Sequence, residues 1–347
     1  MGKLGTYGAI NARLRTRLSK SLDETRLSAI VRADTMSEVL ALLKDTQYGE
    51  AAELFAAEGD LRRVEQFLFE KEIQLFAKVI RDLSGTAEEF TKALLARHEV
   101  ETLKRALRTW YSIQVKGRGT LEDGRFIYRG YPELRIDELL RTQDLEEIAA
   151  LLSSTPFGSI IADAAPERGS SLFRLEIALD NYYYSHLEAA TELLGAGDRA
   201  LAHRLLGVEI DLENLERIIR LKELYGIGED ELPDYLIPSV RRNRAPALTP
   251  GGTSTDIVRN YISSNYSEFA PLLSSMDNSR YSSLMLLESL LREVLAGEIR
   301  RALRGYPFTL GIVLAYFFLV RRETRRVMLV LNAKHYGLDE DRIRSLL

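Results

Sequence analysis

No cysteine occurs in this chain of 347 residues. That absence excludes disulfides, thiolate nucleophiles and zinc–thiolate centres, and it fits a reducing cytosol. A basic excess is missing too: 47 Lys and Arg stand against 51 Asp and Glu, a net charge of −4. Nucleic-acid-binding domains usually carry the opposite balance, so no nucleic-acid partner is expected. Nowhere does GxxxxGK[ST] appear, which removes the usual phosphate loop for nucleotides. Gly117-Arg118-Gly119 lacks both the third glycine and the strand–turn–helix setting of a dinucleotide fingerprint, and is expected to be a domain linker. Histidine is scarce, at positions 98, 186, 203 and 335. His98-Glu99 opens like a zinc HExxH motif, but Thr102 stands where the second His belongs. Capping or surface roles are expected for the histidines, with no metal and no cofactor.

Long apolar runs are also lacking. The longest, Leu310–Val320 (LGIVLAYFFLV), rises only about 16 Å as a helix, half the depth of a bilayer core. Arg321 and Arg322 follow directly, so the run is expected to be a buried helix or a surface contact and not a membrane span. The N-terminus has no apolar core of a secretory signal. Gly2 and Thr6 fit the short myristoylation pattern, which arises often by chance.

What the chain does have is helical periodicity. In Val64–Ile80, apolar residues recur at 64, 67, 68, 75, 76, 79 and 80, leaving Glu70, Lys71, Glu72 and Lys78 facing water. Segments 89–110, 172–194, 199–225, 284–304 and 310–335 repeat the theme. Thr35-Met36-Ser37-Glu38 resembles a capping box, and Thr142-Gln143-Asp144 precedes a short helix over Leu145–Leu152. Arg125–Tyr128 is the one modest strand candidate, so the expected fold is all-α.

The chain also repeats itself, with a period close to a third of its length. Glu101-Thr102-Leu103, Glu213-Asn214-Leu215 and Glu323-Thr324-Arg325 lie 112 and 110 apart (213 − 101 and 323 − 213). Glu65, Glu176 and Glu288 form a second set, 111 and 112 apart (176 − 65 and 288 − 176). LLKDTQYG and LLSSTPFG end at Gly49 and Gly158, 109 apart (158 − 49). A period of domain size points to a triplicated module, with copies expected over residues 1–118, 119–228 and 229–347. The Gly- and Pro-rich stretches Val115–Pro132 and Gly226–Asp256 fall at the copy boundaries, where helices should break.

Candidate chemistry is sparse. Glu88-Glu89, Glu146-Glu147 and Asp339-Glu340-Asp341 sit where negative charge favours a helix N-terminus. A catalytic acid is seldom triplicated, so Glu65, Glu176 and Glu288 are taken as structural. Arg321, Arg322, Arg325 and Arg326 share one side of a helix and are candidate partner-interface residues; a solvated face is the plainer reading. Tyr182-Tyr183-Tyr184 winds around a helix and cannot be wholly core, which suits either a partner surface or a groove between helices.

Three stretches carry a family resemblance. Tyr7, Asn11, Ala12 and Arg13 resemble an opening Y-x-x-x-N-A-R helix; Thr46, Tyr48 and Gly49 resemble an L-x-x-T-x-Y-G turn. Pro307, Phe308, Gly311, Leu314, Ala315, Tyr316, Glu323, Tyr336, Gly337 and Leu338 resemble a closing P-F-x-x-G-x-x-L-A-Y…E…Y-x-G-L segment. In this order they are similar to the C subunit of archaeal-type rotary ATPases, whose vacuolar counterpart is the d subunit. The Pro- and Arg-containing linker Arg241–Gly252 departs from that pattern. The resemblance implies three similar helical domains in a pseudo-threefold funnel and no catalysis. It implies a peripheral place on the cytoplasmic face of the membrane, capping the proteolipid rotor ring and holding the central-stalk shaft so that both turn together during ATP-coupled ion transport. An unrelated helical scaffold or adaptor would share the repeat but not the end motifs.

Overall fold

The computed structural model describes residues 3–164, 172–228, 230–237, 254–266 and 280–347. Every regular element among them is helical. The strand candidate at Arg125–Tyr128 instead overlaps a 3-10 turn, Leu121–Phe126, because Thr120 and Asp123 cap each other and curl the backbone. The expected linker Arg241–Gly252 lies outside the described residues, as does Gly2.

The chain divides into two compact units: Met1–Gly158 with Tyr306–Leu347, and Ser159–Gly305. In the first, α1 (Lys3–Leu18), α2 (Glu24–Arg32), α3 (Met36–Leu43) and α4 (Gly49–Glu58) precede two long helices, α5 (Leu61–Arg81) and α6 (Thr86–Trp110). Then come a π turn at Tyr111–Val115 and two short helices, α7 (Ile136–Leu139) and α8 (Leu145–Leu151). Helix α9 (Pro156–Ala164) crosses the division in sequence. The second unit holds α10 (Leu172–Glu192), α11 (Ala196–Leu224), α12 (Ser254–Asn265) and α13 (Arg280–Arg304). The C-terminal α14 (Gly311–His335) and α15 (Glu340–Leu346) return to the first unit.

Local chemistry starts these helices where the sequence places it. Asp23, Thr35, Asp60, Asp144 and Asp339 accept hydrogen bonds from the first-turn amides of α2, α3, α5, α8 and α15. Each such cap contributes roughly 1 kcal/mol. Gly59 and Gly337 end α4 and α14 with φ of 69° and 71°, a conformation that suits glycine.

Three pairs of local signals obey the repeat. Thr46 Oγ1 donates to the Leu43 carbonyl at 2.6 Å and accepts from Tyr48 N at 3.1 Å. Thr155 Oγ1 does the same with the Leu152 carbonyl at 2.8 Å and Phe157 N at 3.2 Å. A Cβ on Gly49 would collide with the Lys44 carbonyl oxygen, and one on Gly158 would approach the Leu152 carbonyl oxygen to 2.7 Å. Upstream, Glu38 caps the Asp34 amide and Glu147 the Gln143 amide, each at 2.8 Å, again 109 apart (147 − 38). The long helices follow suit: α5, α10 and α13 begin at Leu61, Leu172 and Arg280, and α6, α11 and α14 at Thr86, Ala196 and Gly311.

In the first unit, α14 packs on α1, α3, α5 and α15. The apolar run is a core helix: Leu310 through Phe318 are all buried, the pattern of a helix wrapped on every side. On α5 the stripe Val64, Leu68, Leu75, Phe76 and Val79 is buried as the spacing predicts. Glu72 corrects the sequence reading, because its side chain is 9% exposed and turned inward. It stands four residues after Leu68 and four before Phe76, so helical geometry puts it on the buried stripe. In the second unit α11 packs on α10, α12 and α13 around Ile177, Val208, Ile218, Leu221 and Tyr235. Buried Arg217 donates to the Tyr235 carbonyl at 3.0 Å and to Asp180 at 3.1 Å, and Asn214 clamps the Ile237 backbone through both its amide atoms.

Candidate functional site

The three stretches that carried the family resemblance meet in the first unit. Asn11, buried on α1, donates from Nδ2 to the Pro307 carbonyl and accepts from Arg15 Nε at 2.7 Å. Glu323, buried on α14, accepts from the Leu22 amide at 2.7 Å and from Gln47 Nε2 at 3.0 Å. Beside it the Tyr48 hydroxyl lies 3.3 Å from Thr324 Oγ1. Burial raises the Glu323 carboxyl above its usual range, only partly countered by the Leu22 and Gln47 donors. Burial, then Glu323, pushes the Tyr48 phenol up, and burial takes Tyr316 up to about 12. A carboxylate whose oxygen is held by an amide of one segment and a side chain of another ties those segments together.

A cavity of about 460 Å³ opens on the other side of α14, between α5, α6 and α14. Arg97, Glu101 and Arg105 line it from α6 at i, i+4, i+8 spacing, and Arg321 and Arg325 from α14. Glu65 of α5 pairs with Arg105. The four candidate arginines are therefore divided. Arg321 and Arg325 face the cavity, whereas Arg322 and Arg326 reach Glu24 of α2 at 3.4 and 2.7 Å. Burial alone would raise the Glu101 carboxyl, but Lys104, Arg97, Arg321 and Arg108 together hold it below its usual range.

His98 corrects the expectation of a capping or surface role. It is 4% exposed, with its ring 5.1 Å from that of Phe69 and its Nε2 3.3 Å from buried Glu72 Oε1. The two atoms approach without the geometry of a hydrogen bond. Thr102, where a second zinc ligand would stand, donates to the His98 carbonyl at 2.7 Å. Elsewhere His203 lies 3.0 Å from Glu192, His335 packs edge-on to Phe55, and His186 stacks on Tyr182. Among the described residues no three His, Asp or Glu side chains cluster as metal ligands would. Tyr183 and Tyr184 are buried and Tyr182 is half-buried. Of the repeated glutamates, Glu213 sits 4.0 Å from Arg217, and the Glu288 side chain lies outside the described residues.

Sequence reasoning missed one further group. Glu99, half-buried on α6, faces Glu133 across the Pro132–Leu134 turn, and the buried Tyr131 hydroxyl beside it has no hydrogen-bond partner among the described residues. Burial first, then Glu133, lifts the Glu99 carboxyl to about 7. Nothing in the spacing of two glutamates so far apart in sequence signals that meeting.

Fold and site together define an all-α protein in which buried polar groups join helix to helix. The chain matches the ATP synthase (C/AC39) subunit family over residues 10–346 and belongs to it. Relatives named as the C subunit of the A-type ATP synthase are similar over most of their length. That of Methanocaldococcus jannaschii is 22% identical over 99% of this chain and 86% of its own. That of Haloferax volcanii is 26% identical over 96% and 95%. Among the described residues no helix is long and apolar enough to cross a membrane.

Proposed function

We propose that the chain is the non-catalytic central-stalk subunit of an A/V-type ATP synthase, linking the proteolipid rotor ring to the rotor shaft and transmitting torque between them. Family membership across residues 10–346 carries this reading. The buried ties support it: Asn11 to Pro307 and Glu323 to Leu22 and Gln47 fasten the beginning of the chain to its end, as a body under twist requires. The protein would sit peripherally on the cytoplasmic face. A triplicated helical module, with copies near 1–118, 119–228 and 229–347 arranged about a pseudo-threefold axis, would offer similar faces to a ring of identical subunits. The recurrence of the Thr46 turn at Thr155 supports that origin.

Arg321, Arg322, Arg325 and Arg326 are the proposed partner contacts, with Arg321 and Arg325 the better placed because they open onto a cavity. Purifying the tagged chain from its native membranes should bring down ring proteolipid and shaft subunits. An eluate of soluble enzymes alone would overturn the reading. Charge reversal at 321 and 325 should release the partners at moderate salt; unchanged co-purification would remove those two residues from the interface.

A further inference from the structure

Tyr225-Gly226-Ile227 and Tyr336-Gly337-Leu338 lie 111 apart (336 − 225), at the C-terminal ends of α11 and α14. In both, the tyrosine caps the helix and the glycine after it has a positive φ, 62° at Gly226 and 71° at Gly337. The backbone then folds back: Ile227 N donates to the Leu221 carbonyl at 3.1 Å and Leu338 N to the Ala333 carbonyl at 2.9 Å. Helix-ending chemistry accounts for two of the three residues. Glycine takes the left-handed conformation, and the apolar residue behind it turns toward the last helical turn. Ile227 packs on the core of the second unit in this way. Nothing in that capping uses the tyrosine side chain. Yet both tyrosines reach water, Tyr225 at 50% exposure and Tyr336 at 77%.

Single exposed apolar residues are ordinary on a protein surface. The same aromatic residue, exposed at the same point of two copies of a repeat, is not scatter. One side of each ring is fixed within its own unit: Phe173 stacks on Tyr225 with centroids 4.6 Å apart, and His335 meets Tyr336 edge-on at 5.3 Å. A ring held in this way has little freedom left to lose on binding, and tyrosine is enriched among the anchors of protein interfaces. The first copy departs from the pair. Gln114 stands at that offset (225 − 111), inside the π turn that prolongs α6, and the apolar residue exposed there is Val115, at 55%. Tyr225 and Tyr336 belong to different compact units. Equal anchors on separate units suit equal pockets; a partner made of one chain offers a given pocket once, whereas a ring of identical subunits offers it repeatedly. We propose that Tyr225 and Tyr336 are equivalent anchors, inserting into equivalent apolar pockets on two subunits of the proteolipid ring. This assignment rests on the stalk reading, which supplies the ring.

Titration of purified rotor ring in detergent onto the immobilised full chain tests it, with binding of the shaft subunits measured in parallel. Tyr225→Ala and Tyr336→Ala should each weaken ring binding about tenfold, and the double variant should bind less than either. Tyr306→Ala removes a tyrosine 64% exposed at no repeated position and should leave ring binding unchanged. All of these variants should keep the shaft, and circular dichroism checks that each is folded. Because Tyr225 also stacks on Phe173, a second measurement avoids truncating it. A photoreactive benzoylphenylalanine placed at 225 or 336 should crosslink to the ring proteolipid, and one placed at 306 should not. Undiminished ring binding by the double variant, an equal loss in Tyr306→Ala, or crosslinks from 225 and 336 to the shaft in place of the ring would overturn the proposal. A wild-type chain that captures no ring would sink the stalk reading as well, whereas one that binds the ring through neither tyrosine sinks only the anchors.

Discussion

Two glutamates of the first unit, both drawn away from their ordinary ionisation, have opposite consequences. Glu323 is buried yet supplied with donors. Replacing it with Ala strips the Leu22 amide and the Gln47 side chain of their acceptor, and leaving buried donors unpaired costs about 1–3 kcal/mol. Glu323→Gln keeps an acceptor in place, so its urea midpoint should fall much less than that of Glu323→Ala; equal losses would deny the latch. Glu99 differs: burial and then Glu133 set its carboxyl at about 7, against an ordinary 4.5. Its folded pKa is raised, so between those values the folded chain holds a proton that the unfolded chain releases. Its contribution is therefore full below about pH 4.5, declines as pH rises to about 7, and is flat above. Comparing urea midpoints of the wild type and Glu99→Gln at pH 5 and pH 8 isolates this group. The wild type should lose more stability than the variant across that interval, and parallel losses would show Glu99 to be ordinary. Neither glutamate was fully legible beforehand. The repeat singled out Glu323 as an anchor without saying what it holds, whereas Glu99 depends on a turn whose path periodicity does not encode.

At the scale of elements, local signals were readable wherever one short segment sufficed to state them. The Thr35–Glu38 capping box and the Asp144 cap formed as the residue types require, because each involves only neighbours in sequence. The stripe on α5 was read correctly, but Glu72 was assigned to water by its polarity when its i±4 position on the stripe says otherwise. His98 went astray for the same reason: its burial is decided by α5 and α14, which bring Phe69 and Phe317 against it. The paired turns allow a direct check. Gly49→Ala forces a methyl into the Lys44 carbonyl, and Gly158→Ala does the same at Leu152. Overpacking of this kind costs roughly 1–3 kcal/mol. Gly8→Ala on α1, where nothing lies within 4 Å of the new carbon, should be neutral or stabilising by roughly 0.5–1 kcal/mol. Thermal melts of the three variants distinguish a close turn from mere loss of glycine; matched behaviour at 8, 49 and 158 would show that the contacts do not matter.

For the whole molecule, the repeat in the sequence specified how many long helices to expect and in what order, but not which would pack together. Regular offsets of a domain's length say that segments are alike, and likeness carries no information about neighbours. Packing joins α14, the last long helix, to α1, α3 and α5 in one compact unit, while α13 belongs with α10, α11 and α12 in the other. The first unit is thus discontinuous in sequence, completed by the closing segment Tyr306–Leu347. Its core includes Val327, Val330 and Leu331 of α14 among side chains from α2, α3 and α5. A chain ending at Gly305 would expose those faces to water and leave the Leu22 amide and Asn11 side chain without Glu323 and Pro307. Trp110, the sole tryptophan, reports on this unit: it is 3% exposed, and its indole donates to the Thr142 carbonyl at 2.9 Å. Truncation after Gly305 should shift its emission to the red and abolish its near-ultraviolet dichroism, while the second unit, which lacks tryptophan, contributes nothing to either tryptophan signal. Native emission from the truncated chain would mean that the N-terminal helices hold their core without α14, and the first unit would then need no closure by the end of the chain.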